Sequence, residues 1–365
     1  MTSMKHYMQL ALAQAYQGRG WCAPNPAVGA IVVKDDQVLA YGYHRSHGQA
    51  HAEVMALKQL TPQQAAGADL YVTLEPCCHW GKTPPCTELI KEYAVRRVLY
   101  GYQDPNPQVA GNGVRVLQQA GIQCELLKLT EIDEFYRSYQ YWQATGLPVV
   151  TVKLAITLDG KYTNQHKQPL AITGEQLAQF THQQRLYSDG LLTSVNTINN
   201  DDPQFTARID TQVYQKPVWV LDRLLQINSH RKIFNAAKSL TLLHSPQAPT
   251  EHVAQLQQQS MQCCVIPEHN HHLDLTAVIQ HLGHEGLHDV WVEVGAELFV
   301  ALVHAKLAQR VYLYVSPDVV GSGALSLFSL SDDVSGFLHR NAYQHLGWTV
   351  MGGDVMGCWE QTNFI

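Results

Sequence analysis

No stretch of this 365-residue chain approaches the roughly 18 consecutive apolar residues that a membrane span requires, so no span is expected. No apolar run follows the first lysine, so no secretory leader is expected either. There is no basic run: 25 Lys and Arg stand against 31 Asp and Glu, a net charge of −6, which argues against a nucleic-acid scaffold. It does not exclude a phosphorylated small substrate, which needs only a few local cations. No internal repeat is visible. The eight cysteines, at 22, 77, 78, 86, 124, 263, 264 and 358, do not suggest a disulfide framework. In a chain of this size without a leader they read as metal ligands or small core residues. What is present is an ordinary globular composition, 45% hydrophobic, long enough for two domains that each bury a core. A cytoplasmic protein without membrane or nucleic-acid partners is expected.

Periodicity divides the chain. Residues 5–17 carry apolar side chains at helical spacing, and 28–33 and 38–43 read as strands around Asp35-Asp36. Helices are expected at 51–60, 87–93 and 114–120, strands at 70–74 and 95–100, and a further helix at 130–143. Gly146-Leu147-Pro148 marks a boundary, giving domains 1–147 and 148–365. Beyond it, strands are expected at 149–154, 190–193, 218–221, 239–243, 263–266, 290–294 and 311–315, with helices at 174–187 and 297–304. Strands alternating with helices indicate an α/β fold in both halves, with a largely parallel or mixed sheet in the first. The Gln- and His-rich stretch 247–272 is loose in composition and is expected to hold a mobile loop.

The chemistry concentrates in His51-Ala52-Glu53, Pro76-Cys77 and Cys86. One imidazole and two thiolates supply three ligands to a zinc ion and leave a fourth position for water, whose pKa then falls toward neutrality. Glu53, two residues from the histidine, is placed to move protons on and off that water. A lone His-x-Glu is a weak signal, and Cys77 and Cys86 by themselves read equally as core cysteines. A structural zinc would need a fourth ligand, for which Cys78 and His79 are candidates. The combined, ordered pattern is that of zinc-dependent base deaminases, with Cys78 as a packed neighbour. Both ligand segments are expected to start helices, whose N-termini favour thiolates. Eight residues, 78–85, separate the thiols, and this loop carries His79 and Lys82, cations suited to a substrate phosphate unless the loop is merely solvated.

Asn25-Pro26-x-Val28-Gly29, His51-Ala52-Glu53, Thr73-Leu74-Glu75-Pro76-Cys77, Gly81-Lys82-Thr83-Pro84-Pro85-Cys86 and Asp104-Pro105-Asn106-Pro107 together resemble the bifunctional riboflavin-biosynthesis deaminase/reductase family. The resemblance spans the chain. It implies an N-terminal cytidine-deaminase-like α/β/α domain and a C-terminal dihydrofolate-reductase-like α/β domain. It also implies one Zn²⁺ per chain, NADPH, and a homo-oligomer. The implied reactions are deamination of diaminohydroxyphosphoribosylaminopyrimidine and reduction of the product's ribosyl group to ribityl. By resemblance, Asn25, His44, His79, Lys82, Asp104 and Asn106 shape the deaminase pocket.

In the second half, Lys153-Leu154-Ala155, Thr157-Leu158-Asp159-Gly160-Lys161, Asp201-Asp202-Pro203-x-Phe205-Thr206-x-Arg208 and Val292-Glu293-Val294-Gly295 resemble the reductase segments. Arg185, Phe205, Arg208 and Glu293 would then meet the substrate, with the two arginines on its phosphate. Ala155, Ala171, Thr197, Asp201, Arg223 and Gly295 would meet the coenzyme. Three departures bear on the coenzyme: Gln168-Pro169-Leu170-Ala171 lacks an aromatic face, Glu297 opens the helix after Gly295, and Arg223 follows Leu221-Asp222. Arg223 reads either as a partner for the coenzyme 2′-phosphate or as a surface arginine. The competing reading of the whole chain is a deaminase whose reductase domain binds NADPH poorly.

Overall fold

Strands β1 (Gly29–Lys34), β2 (Gln37–Tyr43), β3 (Asp69–Val72), β4 (Arg97–Tyr100) and β5 (Gln123–Leu126) form one sheet in the computed structural model, in the order β2-β1-β3-β4-β5. Strand β1 is antiparallel to both β2 and β3, while β3, β4 and β5 run parallel. Asp35 and Asp36 form the β1–β2 turn with φ of 50° and 60°, the left-handed geometry that a two-residue hairpin demands. The structure describes residues 2–80, 84–107, 110–163, 172–258, 261–327 and 336–364.

Side-chain alternation gives this sheet two buried faces. Ala30, Val32, Leu70, Val72 and Val98 pack on Ala52, Ala56 and Leu57, on Ile90 and on Leu117. These partners lie on the helices Ala52–Leu57, Cys86–Glu92 and Asn112–Gln119. Ile31, Val33, Tyr71 and Leu99 face the other way, onto Met8, Ala11 and Ala15 of helix Thr2–Gly18 and Ile132, Phe135 and Tyr136 of helix Thr130–Thr145. The result is the expected α/β/α sandwich. It makes up one compact unit, Met1–Gly146.

The second unit, Leu147–Ile365, contains β6 (Val149–Thr157), β7 (Gly190–Ser194), β8 (Ala207–Ile209), β9 (Gln212–Tyr214), β10 (Pro217–Leu221), β11 (Ser239–His244) and β12 (Gln262–Val265). It continues with β13 (Glu268–His269), β14 (His272–Leu273), β15 (Asp289–Glu293), β16 (Arg310–Ser316), β17 (Tyr343–Met351) and β18 (Asp354–Gln361). Nine of these form a sheet in the order β12-β11-β10-β7-β15-β6-β16-β18-β17. It is parallel from β12 to β16 and antiparallel across β16-β18-β17. Val150, Val152, Val290 and Val292 pack with helices Leu275–His284 and Ala296–His304 on one face. Leu191, Val218, Val220 and Trp291 pack on Ile198 and Phe180 on the other. Strands covered on both faces explain the near-continuous apolar runs. Because β15 inserts between β6 and β7, strand order reverses there, and the carboxyl ends of these three strands form the topological switch point at which open α/β sheets bind ligands.

The stretch 247–272 departs from expectation. Its described residues include helix Thr250–Gln258, strand β12 and the hairpin β13–β14, whose turn residues Asn270 and His271 have φ of 49° and 61°, while 259 and 260, where a loop was expected, lie outside the described residues. Register against β11 organises residues whose composition is uninformative. Among the described residues no helix is long and apolar enough to cross a membrane.

Candidate functional site: a metal centre and a strand-end crevice

The helix Ala52–Leu57 packs tightly on β2 because position 42 is glycine: a Cβ there would stand 2.2 Å from the Ala52 carbonyl oxygen. This docking fixes His51 at the helix N-cap and Glu53 in its first turn. Cys86 opens helix Cys86–Glu92, whereas Cys77 lies in the segment between β3 and that helix and starts none. Glu75 explains how that segment is held. Its buried carboxylate accepts from the N–H of Gly111 at 2.9 Å and of Val114 at 3.2 Å, at the start of helix Asn112–Gln119. Gly113 lets the neighbouring Pro76 carbonyl approach, since a Cβ would lie 1.9 Å from it.

His51 Nδ1 lies 3.2 Å from Cys86 Sγ and 3.5 Å from Cys77 Sγ, and the three donor atoms all fall within 4.8 Å of one another. Nitrogen–sulfur edges of a tetrahedron with metal bonds of about 2.0–2.3 Å measure about 3.6 Å, so donor set and spacing fit zinc. Cys78 is part-buried beside this cluster and is not one of its three donors. The Cys77 thiol is held well below its ordinary range by hydrogen bonding with Cys86 and by His51. The Glu53 carboxyl is buried, and burial pushes it up to about 7 against the pull of His51.

His51, Glu53 and Cys77 open onto a cavity of about 200 Å³, also lined by Asn25, His44, His79, Asp104 and Asn106. Lys82 lies outside the described residues. The Asn25 amide nitrogen is 3.2 Å from His44 Nε2, and His44 Nδ1 is 3.1 Å from the Ala50 carbonyl. A carbonyl only accepts, so His44 carries its proton on Nδ1 and accepts from Asn25 on Nε2. Burial lowers its pKa and keeps the ring neutral. Asp104 accepts from Tyr139 Oη at 3.3 Å and from the Asn106 N–H at 2.9 Å, and burial raises its carboxyl to about 6. Sequence reasoning missed His47, Gln49 and Tyr139, which line the same cavity. His47 had a visible cue, standing three residues after His44, and its Nδ1 lies 3.2 Å from Asn25 Oδ1. Tyr139 had none, since it arrives from helix Thr130–Thr145.

In the second unit Arg185 donates through Nε and Nη2 to both Glu293 oxygens, at 2.6 and 2.9 Å, and through Nη1 to the Thr206 carbonyl at 3.0 Å. His182 Nδ1 approaches the same carbonyl at 3.2 Å. Burial would raise the Glu293 carboxyl, but Arg185, then Lys153 and the Trp291 indole, hold it down to about 2. Lys153, another residue absent from the sequence-based site, sits with Nζ 5.0 Å from the centre of the Tyr314 ring, and desolvation lowers its pKa. Phe205 is buried under Arg185, 5.2 Å from guanidinium to ring centre, with a φ of 52° that few aromatic residues adopt. Arg208 is exposed.

Ala155 lies on β6 near its carboxyl end, and Thr197 and Asp201 lie one turn apart on helix Val195–Asp201, directly after β7. Gly295 is the N-cap of helix Ala296–His304 without a side-chain cap, so backbone N–H groups face out where a phosphate can be received. Glu297 is exposed in that first turn. Arg223 follows β10 and is paired with Glu268. Ala171 lies outside the described residues. The donors at these strand ends suit a dinucleotide.

A zinc-binding base-deaminase domain followed by a dihydrofolate-reductase-like domain is the class that fold and site define. Residues 1–102 match the cytidine and deoxycytidylate deaminase zinc-binding region, and residues 148–356 match the RibD C-terminal domain. The chain is 36% identical to riboflavin biosynthesis protein RibD of Escherichia coli over 89% of this chain and 91% of that protein. It is 33% identical to RibD of Aquifex aeolicus over 87% and 88% of the two chains. The Acinetobacter baumannii RibD structure superposes with a TM-score of 0.85 at 29% identity, covering 98% of this chain and 99% of that one. A Thermotoga maritima diaminohydroxyphosphoribosylaminopyrimidine deaminase/5-amino-6-(5-phosphoribosylamino)uracil reductase gives 0.82 at 27% identity, covering 99% of both. The chain belongs to the RibD family of bifunctional riboflavin-biosynthesis deaminase/reductases.

Proposed function

We propose that the chain deaminates diaminohydroxyphosphoribosylaminopyrimidine in residues 1–147 and reduces the ribosyl group of the product to ribityl with NADPH in residues 148–365, in the cytoplasm and as a homo-oligomer. The convergence of His51, Cys77 and Cys86 beside the buried carboxyl of Glu53 carries this reading. His51, Cys77 and Cys86 would hold Zn²⁺, which when bound would supply an acidified water. Glu53, buried beside these ligands, would take a proton and return it to the ring nitrogen and the leaving amine. Asn25, oriented by neutral His44, and Asp104 with Asn106 hold the pyrimidine and ribose, while His79 and Lys82 receive the phosphate.

In the second unit NADPH supplies the hydride. Thr197, Asp201, Ala155, Ala171 and Gly295 would bind it, with Arg223 at its adenosine end, and Arg208 would receive the substrate phosphate. Arg185 commits two donors to Glu293 and one to the Thr206 carbonyl, so the pair is held as a fixed polar wall facing the sugar, backed by Phe205. One observation favours the alternative of a deaminase with a weakened reductase: Arg223 is already engaged by Glu268. Metal analysis, ammonia release and NADPH oxidation on the deaminated product, run on one preparation, test both readings. The bifunctional reading expects both activities. Ammonia release without NADPH oxidation at saturating coenzyme leaves only the alternative, and absence of zinc-dependent ammonia release removes both.

A further inference from the structure

Three neighbouring parallel strands end on one polar cluster. Arg223 lies two residues beyond β10, Ser245 one beyond β11, and Glu268 three beyond β12. Arg223 Nη1 stands 3.3 and 3.4 Å from the two oxygens of Glu268. The Ser245 hydroxyl donates to Glu268 Oε2, and its own oxygen accepts from the Gln247 N–H at 2.9 Å. The Ser245 N–H donates to the Arg223 carbonyl at 3.0 Å, which ties the first two strand ends together. His271 Nδ1 is 3.7 Å from Glu268 Oε1. The Ser245 hydroxyl, and then Arg223, hold the Glu268 carboxyl below its ordinary range, so it is charged at neutral pH. The one guanidinium in this cluster is therefore matched by a carboxylate.

The cluster lies at the carboxyl-end side of the sheet, the same side as the helix start at Gly295. Strand β10 is separated from β15 only by β7, so at about 4.8 Å per strand Arg223 stands about 10 Å along the sheet from the helix start at Gly295. An arginine side chain covers the gap between that strand end and the adenosine ribose of a dinucleotide whose pyrophosphate rests at Gly295. In dinucleotide sites of open α/β sheets an acidic side chain accepts the 2′-hydroxyl of NADH, or an arginine accepts the 2′-phosphate of NADPH. Here both are present, and they are bonded to each other.

We propose that Glu268 sets coenzyme choice in the reductase unit: by holding Arg223 it withholds the guanidinium from a 2′-phosphate and offers a carboxylate to a 2′-hydroxyl, so that the unit takes NADH about as readily as NADPH. The inference rests on the coenzyme-site reading above. A 2′-phosphate must either displace Glu268 from Arg223 or sit beside a like charge. A hydroxyl brings no charge and finds an acceptor. Glu268 acts on specificity and takes no part in hydride transfer.

The test is calorimetric titration of the full-length protein with adenosine 2′,5′-bisphosphate and with ADP, for wild type, Glu268→Gln and Glu268→Gln/Arg223→Ala. Glutamine keeps the shape and can still accept from Ser245, and an unchanged melting temperature shows that the variant folds. Wild type should bind the two probes within about fivefold of each other. Glu268→Gln should tighten the 2′,5′-bisphosphate about tenfold and leave ADP within about twofold, and the double variant should lose that gain. The ratio of kcat/KM for NADPH over NADH should move with the binding ratio. A wild type that prefers the 2′,5′-bisphosphate by about a hundredfold, or a Glu268→Gln whose ratio does not move while ADP still binds, overturns the Glu268 assignment alone. Failure of either probe to bind any form overturns the coenzyme-site reading and this inference with it.

Discussion

Arg185 and Glu293, 108 residues apart in sequence, form a two-pronged ion pair with N–O distances of 2.6 and 2.9 Å. Both side chains are largely buried, at 11% and 13% exposure, so the pair is only weakly screened. Glu293 also accepts from the Trp291 indole at 2.9 Å and faces Lys153. One carboxylate at the end of β15 thus organises two cations, Arg185 and Lys153.

Removing that carboxylate strands the cations. Glu293→Ala should destabilise the second unit by about 3–5 kcal/mol, the range for a buried charge left without its partner. Urea unfolding followed by the fluorescence of Trp291 and its neighbours measures it. A loss below about 1 kcal/mol would show that the pair is effectively solvated.

Glu53→Gln should retain zinc and lower ammonia release about 10²–10⁴-fold, the usual contribution of a positioned proton carrier. Metal analysis beside single-turnover ammonia assays checks it. A variant that deaminates normally would move the proton-transfer role away from Glu53.

Cys86→Ser, or chelation of the whole enzyme, should abolish ammonia release, because the imidazole and one thiolate that remain give an incomplete ligand set. NADPH oxidation on the deaminated product should stay within about twofold. A parallel loss of both activities would mean that the metal supports more than the deaminase site.

Lys216 is fully buried, donates from Nζ to the Leu186 carbonyl at 3.1 Å, and is held by burial down to about 7 from an ordinary value near 10.5. The folded state therefore binds its proton less tightly than the unfolded chain. The resulting penalty is absent above pH 10.5, grows as pH falls, and is complete below about pH 7. Lys216→Met should raise stability by about 1–3 kcal/mol at pH 6 and lose that advantage toward pH 10. Melting curves across pH decide it, and a pH-independent difference would place the ammonium in solvent contact.

Helices and strands with strong apolar periodicity were legible: Thr2–Gly18, the β1–β2 hairpin and β15 fall within a few residues of their expected bounds. The edge strand β5 was not, because it is short and half exposed. Strand β17 was not legible either, since its apolar residues Leu346, Trp348 and Val350 are exposed and show no core-facing alternation. The metal-ligand residues were legible because thiolates, an imidazole and a carboxylate in that order serve few other purposes. Glu75 sits in the same motif, yet its work as the clasp on the Gly111 and Val114 amides depends on a helix 36 residues away.

Local chemistry was determined by the sequence alone: the donor types of the metal centre, the turn at Asp35-Asp36, and the two α/β halves all follow from residue identity and short-range spacing. Tertiary structure decided which distant groups satisfy one another. Tyr139 reaches Asp104, Glu293 takes Arg185, and Glu268 takes Arg223, across separations of 35, 108 and 45 residues. Such pairs form because strand order and helix packing bring their backbones together, and a buried or half-buried charge then bonds to whichever partner that packing supplies.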